Sequence, residues 1–186
     1  SNVIDARTAN IYGVEACRNT YPRYFKEWQR HPERRVIPLE DVVFAPEGCS
    51  PGQLNLYRGM PLTPLVGDCS AIVEHVYNMC NYDVDIAHHL LCWLAWPLKH
   101  HGSKMAYSIV VHGGQGTGKS LFFEHLMMKV YGYRYAIQIG QTELESSFSG
   151  WLSRKLYVVC NEVSGSAKER SHSRNRLKSI ITDKYF

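Results

Sequence analysis

The sequence predicts an α/β fold built on a parallel sheet, with a small, mainly helical subdomain ahead of it. Residues 106–112 (Ala-Tyr-Ser-Ile-Val-Val-His) form an apolar, β-prone run that leads straight into a glycine-rich loop at residues 113–120. Beyond the loop, Phe122, Phe123, Leu126, Met127 and Val130 recur at helical spacing, and Gly132 is placed to stop that helix. A second buried-strand run, Lys-Leu-Tyr-Val-Val-Cys, occupies residues 155–160. Strands separated by a helix pair parallel, because a parallel pair needs a long crossover that an antiparallel hairpin does not.

The elements ahead of that core are shorter. Pro22 suits the first turn of a helix that carries Tyr24, Phe25 and Trp28. Loops and short strands are expected in the rest of residues 1–60, and Pro51, Pro61 and Pro64 interleaved with Gly48, Gly52, Gly59 and Gly67 exclude a long regular element there. Asp68 or Ser70 is placed to cap a helix whose Ile72, Val73, Val76, Tyr77 and Cys80 share one face. A second helix is expected from Asp83 or Asp85 through Ile86, Leu90, Leu91, Trp93 and Leu94, ending or kinking before Pro97. Trp93, Trp96, Phe122 and Phe123 fall on helical faces and are read as core. A polar break at residues 99–104 sets the domain boundary. Residues 1–103 form a loop-rich, then helical, collar-like subdomain, and residues 104–186 form the α/β core.

Composition narrows the class. The chain has 186 residues, 45% hydrophobic and 20% charged, close to the average for globular proteins. It holds no apolar run of the roughly 18 residues that a membrane helix requires. The first residues show no basic patch, apolar stretch and small-residue cleavage site, so the expectation is a cytoplasmic protein without membrane partners. Six cysteines occur singly, without the C-x-x-C spacing of a zinc site, and are expected as free thiols. His88-His89 and His100-His101 make poor metal pairs, since neighbours on a helix point about 100° apart. The net charge is +4, and residues 165–186 carry all of it: Lys168, Arg170, Arg174, Arg176, Lys178 and Lys184 against Glu169 and Asp183. Such a basic segment suits contact with the phosphates of DNA.

The loop at residues 113–120 reads Gly-Gly-Gln-Gly-Thr-Gly-Lys-Ser and fits the pattern G-x-x-x-x-G-K-[S/T], which marks a phosphate-binding P-loop. A backbone that curls tightly enough to point several N–H groups at one triphosphate leaves no room for side chains, hence Gly113, Gly114, Gly116 and Gly118. Gln115 and Thr117 complete the curl. Lys119 then reaches the β and γ phosphates, Ser120 ligates Mg²⁺, and the following helix aims its positive end at the anion. Hydrolysis also needs a carboxylate to activate water, and Glu162, just past the second strand, is the candidate. Asn161 precedes it where an acid is usual; an amide holds Mg²⁺ through water but adds no negative charge. The expected catalytic pair is thus Lys119 and Glu162, with Ser120, Asn161 and Glu162 around the metal.

A set of landmarks runs in order along the chain: Trp28, Pro32 and Arg34-Arg35; Phe44-Ala-Pro46; Asn55-Leu-Tyr-Arg-Gly59; Gly67-Asp-Cys69; Trp93-Leu-Ala95; the glycine loop; Phe148 with Trp151-Leu152; Val158-Val-Cys-Asn-Glu162; and Leu177-Lys-Ser-Ile-Ile-Thr182. Taken together they resemble the helicase part of phage and plasmid primase-helicases, ATPases of the superfamily 3 type. The resemblance implies a P-loop NTPase core of AAA+-like type that binds ATP and Mg²⁺ between subunits of a hexameric ring. It also implies DNA, single-stranded or forked, as partner, a fused or associated primase, and a bacterial host's cytoplasm as location. By the same resemblance residues 113–120 are Walker A, Asn161-Glu162 are Walker B, and the segment around Lys178 approaches a DNA-facing hairpin. A sensor Asn and an arginine finger are not found in these residues, so the core is expected to be incomplete at its C-terminal side. Arg170, Arg174 and Arg176 lie too near the second strand for the finger's role.

The leading expectation is an ATP-dependent DNA helicase domain that serves replication of a phage or mobile element. A nucleotide-dependent DNA-binding initiator or scaffold without unwinding activity is the alternative. A small-molecule kinase is disfavoured by the helical N-terminal half and the basic tail.

Overall fold

A computed structural model of the chain describes residues 2–5, 7–161 and 167–183. The chain divides into two units, Ser1–Gly59 and Met60–Phe186.

In the first unit, strands β1 (Asn2–Ile4) and β2 (Ile11–Gly13) pair antiparallel. Helix α1 (Val14–Thr20) follows at once, and α2 (Pro22–Arg30) starts on its proline, where the missing N–H costs no helical bond. Phe25 is the buried residue of α2; Trp28 stands against it with ring centroids 5.5 Å apart, and the Arg34 guanidinium lies over the indole at 5.5 Å. Two very short strands, β3 (Val42–Val43) and β4 (Leu54–Asn55), pair parallel. The side chain of Asn55 locks the chain around them. Its Oδ1 accepts from the N–H groups of Ala45 (3.0 Å) and Tyr57 (2.9 Å), and its Nδ2 donates to the Ala45 carbonyl at 2.7 Å. The separate landmarks Phe44-Ala-Pro46 and Asn55-Leu-Tyr are therefore one structural clasp, closed by an edge-on contact of Phe44 with Tyr57.

The second unit begins its regular structure with α3 (Ser70–Met79) and α4 (Val84–Lys99). Asp68 steadies the start of α3 by accepting from the Ser70 N–H at 2.8 Å, which holds its carboxyl below the usual range. Asp83 caps α4 by accepting from the Ile86 N–H at 3.0 Å. Pro97 does not end α4 as its sequence position suggests. The helix runs on to Lys99, because a proline so near the C-terminus removes a single ladder bond, and His100 N–H still reaches the Trp96 carbonyl at 2.8 Å. Trp96 also departs from expectation, being 52% exposed, with its ring tilted at 35° against that of His100 instead of buried.

After the glycine loop the helix continues as a π-helical segment (Leu121–Leu126) and then α5 (Met127–Tyr131), which stops at Gly132 with φ +73°. Strand β5 (Ala136–Ile139) and strand β6 (Tyr157–Cys160) pair parallel, with Ala136 opposite Tyr157 and Ile139 opposite Cys160. Between them α6 (Gln141–Glu145) buries Leu144 completely. Helix α7 (Ala167–Thr182) meets α6 through a hydrogen bond from Gln141 Nε2 to the buried Ser173 hydroxyl at 2.9 Å.

One apolar cluster runs through this unit. Val76 of α3 and Ala87, Leu90 and Leu94 of α4 join Phe122, Met127 and Tyr131 of the post-loop helix and Ala136 and Tyr157 of the strands. The helical pair that the sequence groups with residues 1–103 thus shares its core with residues beyond 104. Residues 106–112, expected as a strand, form no ladder among the described residues. A strand exists only beside a partner, and Val110, 84% exposed, has none of the burial that pairing in a sheet interior brings.

Candidate functional site

The glycine loop takes the backbone path that its composition calls for. Gly116 and Gly118 sit at φ +81° and +79°, the left-handed region that a side chain at Cβ disfavours. The loop closes on itself through Thr117, whose hydroxyl donates to the Gly114 carbonyl at 3.1 Å. Lys119 is folded into the curl. Its ammonium donates to the carbonyls of Gly114 (2.6 Å) and Gly113 (3.2 Å) and to the Thr117 hydroxyl (2.8 Å). Gly113, Gly114, Thr117 and Lys119 are thereby drawn together around one cation at a helix N-terminus, while Gln115 and Ser120 stand exposed on the same loop.

The helix that leaves the loop is unusual at its start. Met127 N–H bonds to the Phe122 carbonyl, an i→i+5 step, and Leu121–Leu126 is π-helical. The wider turn puts residues five apart on one face. Phe122 and Met127 both face the core, 3% and 5% exposed.

Helix α3 approaches the loop from the side. The imidazole Nε2–H of His75 donates to the Gly118 carbonyl at 3.2 Å, and a Cβ at Gly118 would collide with that ring. Sequence reasoning did not single out His75. The histidines it did weigh lie elsewhere: His88 contacts the Cys92 sulfur one turn away, and His89 shares a 3.1 Å hydrogen bond with the Tyr107 hydroxyl. No spacing rule could have found His75, since its partner is 43 residues away.

At the far strand end, Asn161 extends the ladder by donating its N–H to the Ile139 carbonyl at 2.9 Å. Glu162, expected beside it as the catalytic carboxylate, lies outside the described residues. Glu143 sits near this strand end. It accepts from the Gly140 N–H at 2.9 Å, which lowers its own carboxyl; burial pushes the neighbouring Cys160 thiol up, and the Glu143 charge adds to that. In the basic segment Arg174 and Lys178 are exposed on α7, and the described residues include no helix long and apolar enough to cross a membrane.

Residues 111–186 match a family of unknown function (DUF5906). The chain is 32% identical over 134 residues to the DNA primase-polymerase of Nitratiruptor phage NrS-1. It is homologous to part of a phage replication protein. The aligned stretch is 70% of this chain and 18% of that protein. Two solved apo structures of the NrS-1 C-terminal region share the fold over the whole chain, at TM-scores of 0.72 and 0.75 and identities of 22% and 23%. The chain spans 48% and 45% of those solved chains.

Proposed function

We propose that this chain is the nucleotide-driven part of a phage replication protein, an ATP-dependent DNA helicase domain whose triphosphate site is the loop from Gly113 to Ser120. The observation that carries the reading is the loop itself. Left-handed glycines, a lysine ammonium gathered inside the curl and a helix N-terminus all converge on the point where a polyphosphate would be held.

In this reading ATP exchanges the carbonyls of Gly113 and Gly114 for its own phosphate oxygens as partners of Lys119. A charge-assisted bond to an anion is stronger than one to a neutral carbonyl, which supplies the driving force for that exchange. Ser120 and Asn161 would hold Mg²⁺, which would supply charge neutralisation at the phosphates, and Glu162 would orient the attacking water. The expected core is of P-loop NTPase type, in which residues 106–112 would pair as the strand that leads into the loop. DNA is the expected partner of the basic segment. A hexameric ring and an associated primase complete the proposal, the latter supported by the homology to a primase-polymerase.

Asn161 favours a second reading. Without an acid at that position the metal site carries less charge, which suits a protein that uses nucleotide for assembly on DNA without unwinding it. Forked-duplex unwinding separates the two. The helicase domain displaces a strand in the presence of ATP and Mg²⁺ and loses this with Lys119→Ala. ATP-dependent assembly on DNA with no displaced strand decides for the scaffold.

A further inference from the structure

The glycine loop provides for phosphates alone, whereas a nucleotide also carries a flat, largely apolar base. A cavity of about 340 Å³ opens directly beside the loop, between α3 and the π-helical segment. Ile72 and His75 form one wall, and Leu121, Phe122, His125 and Leu126 form the other. This volume lies at the small end of the range of small-molecule sites, which run from roughly 300 to 1,000 Å³.

We propose that this cleft takes the nucleobase of the nucleotide whose phosphates the loop holds; the proposal rests on the phosphate-loop reading above. Continuity is the first support. His75 lines the cleft and is bonded to Gly118 of the loop, and Leu121 lines it one residue after Ser120, so loop and cleft share an edge. Chemistry is the second. The walls are apolar and aromatic, with the His75 and Phe122 rings 6.2 Å apart, and a planar heterocycle gains most from such surfaces. His75 presents its ring, since its Nε2 is already engaged with the Gly118 carbonyl.

The π-helical segment is the third support. It supplies the second wall, with Leu121, Leu126 and His125 lining the cleft and the buried Phe122 closing it from the core side. Leu121 remains 63% exposed and Ile72 42% exposed, apolar surface at the mouth that a base would cover. His125 and Lys129 at the other end of the cavity bring polar groups for the edge of the ring.

The test compares ATP with inorganic tripolyphosphate, which has phosphates and no base, by calorimetric titration in Mg²⁺ on the 186-residue chain. The unchanged chain is expected to bind ATP at least tenfold tighter than tripolyphosphate. Ile72→Trp, which fills the cleft from an exposed position, is expected to weaken ATP by about tenfold and leave tripolyphosphate unchanged. Ala71→Phe, a second exposed position on the same wall, should do the same, and retained tripolyphosphate binding shows that either variant is folded. Equal affinities for the two ligands in the unchanged chain overturn the proposal. So does a loss of both ligands, or of neither, in both filled variants. Lys119→Ala is expected to weaken both ligands; if it weakens neither, the phosphate-loop reading fails, whatever the cleft variants show.

Discussion

The imidazole of His75 donates to the carbonyl of Gly118 at 3.2 Å, tying α3 to the most constrained residue of the glycine loop. Two penalties meet at Gly118. A side chain there is strained by φ +79°, at about 1–2 kcal/mol, and its Cβ would collide with the His75 ring. Gly118→Ala is therefore expected to destabilise the fold and abolish triphosphate binding. Adding His75→Ala to it relieves the collision and leaves the strain. Urea unfolding of the two single variants and the double variant checks this. The double variant should be more stable than the sum of the single losses implies, and strict additivity would show that the contact carries no coupling.

Asp83 is the side-chain cap of α4, and α4 supplies Ala87, Leu90 and Leu94 to the central cluster. Asp83→Ala leaves the Ile86 N–H without that acceptor and is expected to cost about 1 kcal/mol, with Asp83→Asn close to neutral. Chemical denaturation monitored by far-ultraviolet circular dichroism reads the difference.

Tyr131 and Tyr157 stack at 5.0 Å with rings 9° from parallel, and the Tyr157 hydroxyl donates to the Phe123 carbonyl at 3.1 Å. Burial pushes the Tyr131 phenol from 10.0 up to about 12, and burial raises Tyr157 as well, with Tyr131 and Glu124 adding to it. In the unfolded chain these phenols ionise near pH 10, so between pH 10 and 12 the unfolded state binds fewer protons than the folded one. The stability linked to Tyr131 is fully present below pH 10 and is lost as pH rises through about 12, on the order of 2 kcal/mol in all. Unfolding free energies at pH 9, 10 and 11 should fall, and Tyr131→Phe should flatten the slope. An unchanged slope in that variant would contradict the assignment.

Much of this arrangement is legible in the sequence wherever the cause is local. Pro22 starts α2, Asp83 starts α4, Gly132 ends α5, and the run at residues 155–160 contains β6, because capping and periodicity act over a few residues. The glycine loop is legible for the same reason: its own residue types permit the left-handed φ of Gly116 and Gly118. What resists reading depends on partners far along the chain. Residues 106–112 have strand composition, yet pairing needs a neighbour. The π turn carries no signature of its own, since apolar spacing at 122, 123, 126, 127 and 130 fits an ordinary helix equally well. His75 carries no motif; only the packing of α3 on the loop brings it to the site.

Ser173 is buried to 1% and receives the Gln141 amide, the polar link between α6 and α7. Ser173→Ala removes one of that amide's two acceptors and leaves the other, the Glu145 carboxylate, beside a Gln141 Oε1 that has no partner among the described residues. A loss of about 0.5–1.5 kcal/mol is expected, visible in thermal unfolding. Ser173→Thr, which retains the hydroxyl, should recover part of it.

Titration of the chain with ATP in Mg²⁺, beside its Lys119→Ala variant, tests the central claim most directly. A triphosphate held by the loop gives saturable binding at one site per chain, weakened at least tenfold when the Lys119 ammonium is removed. Equal binding by the two proteins, or none by the unchanged chain, would contradict a triphosphate site at Gly113 to Ser120.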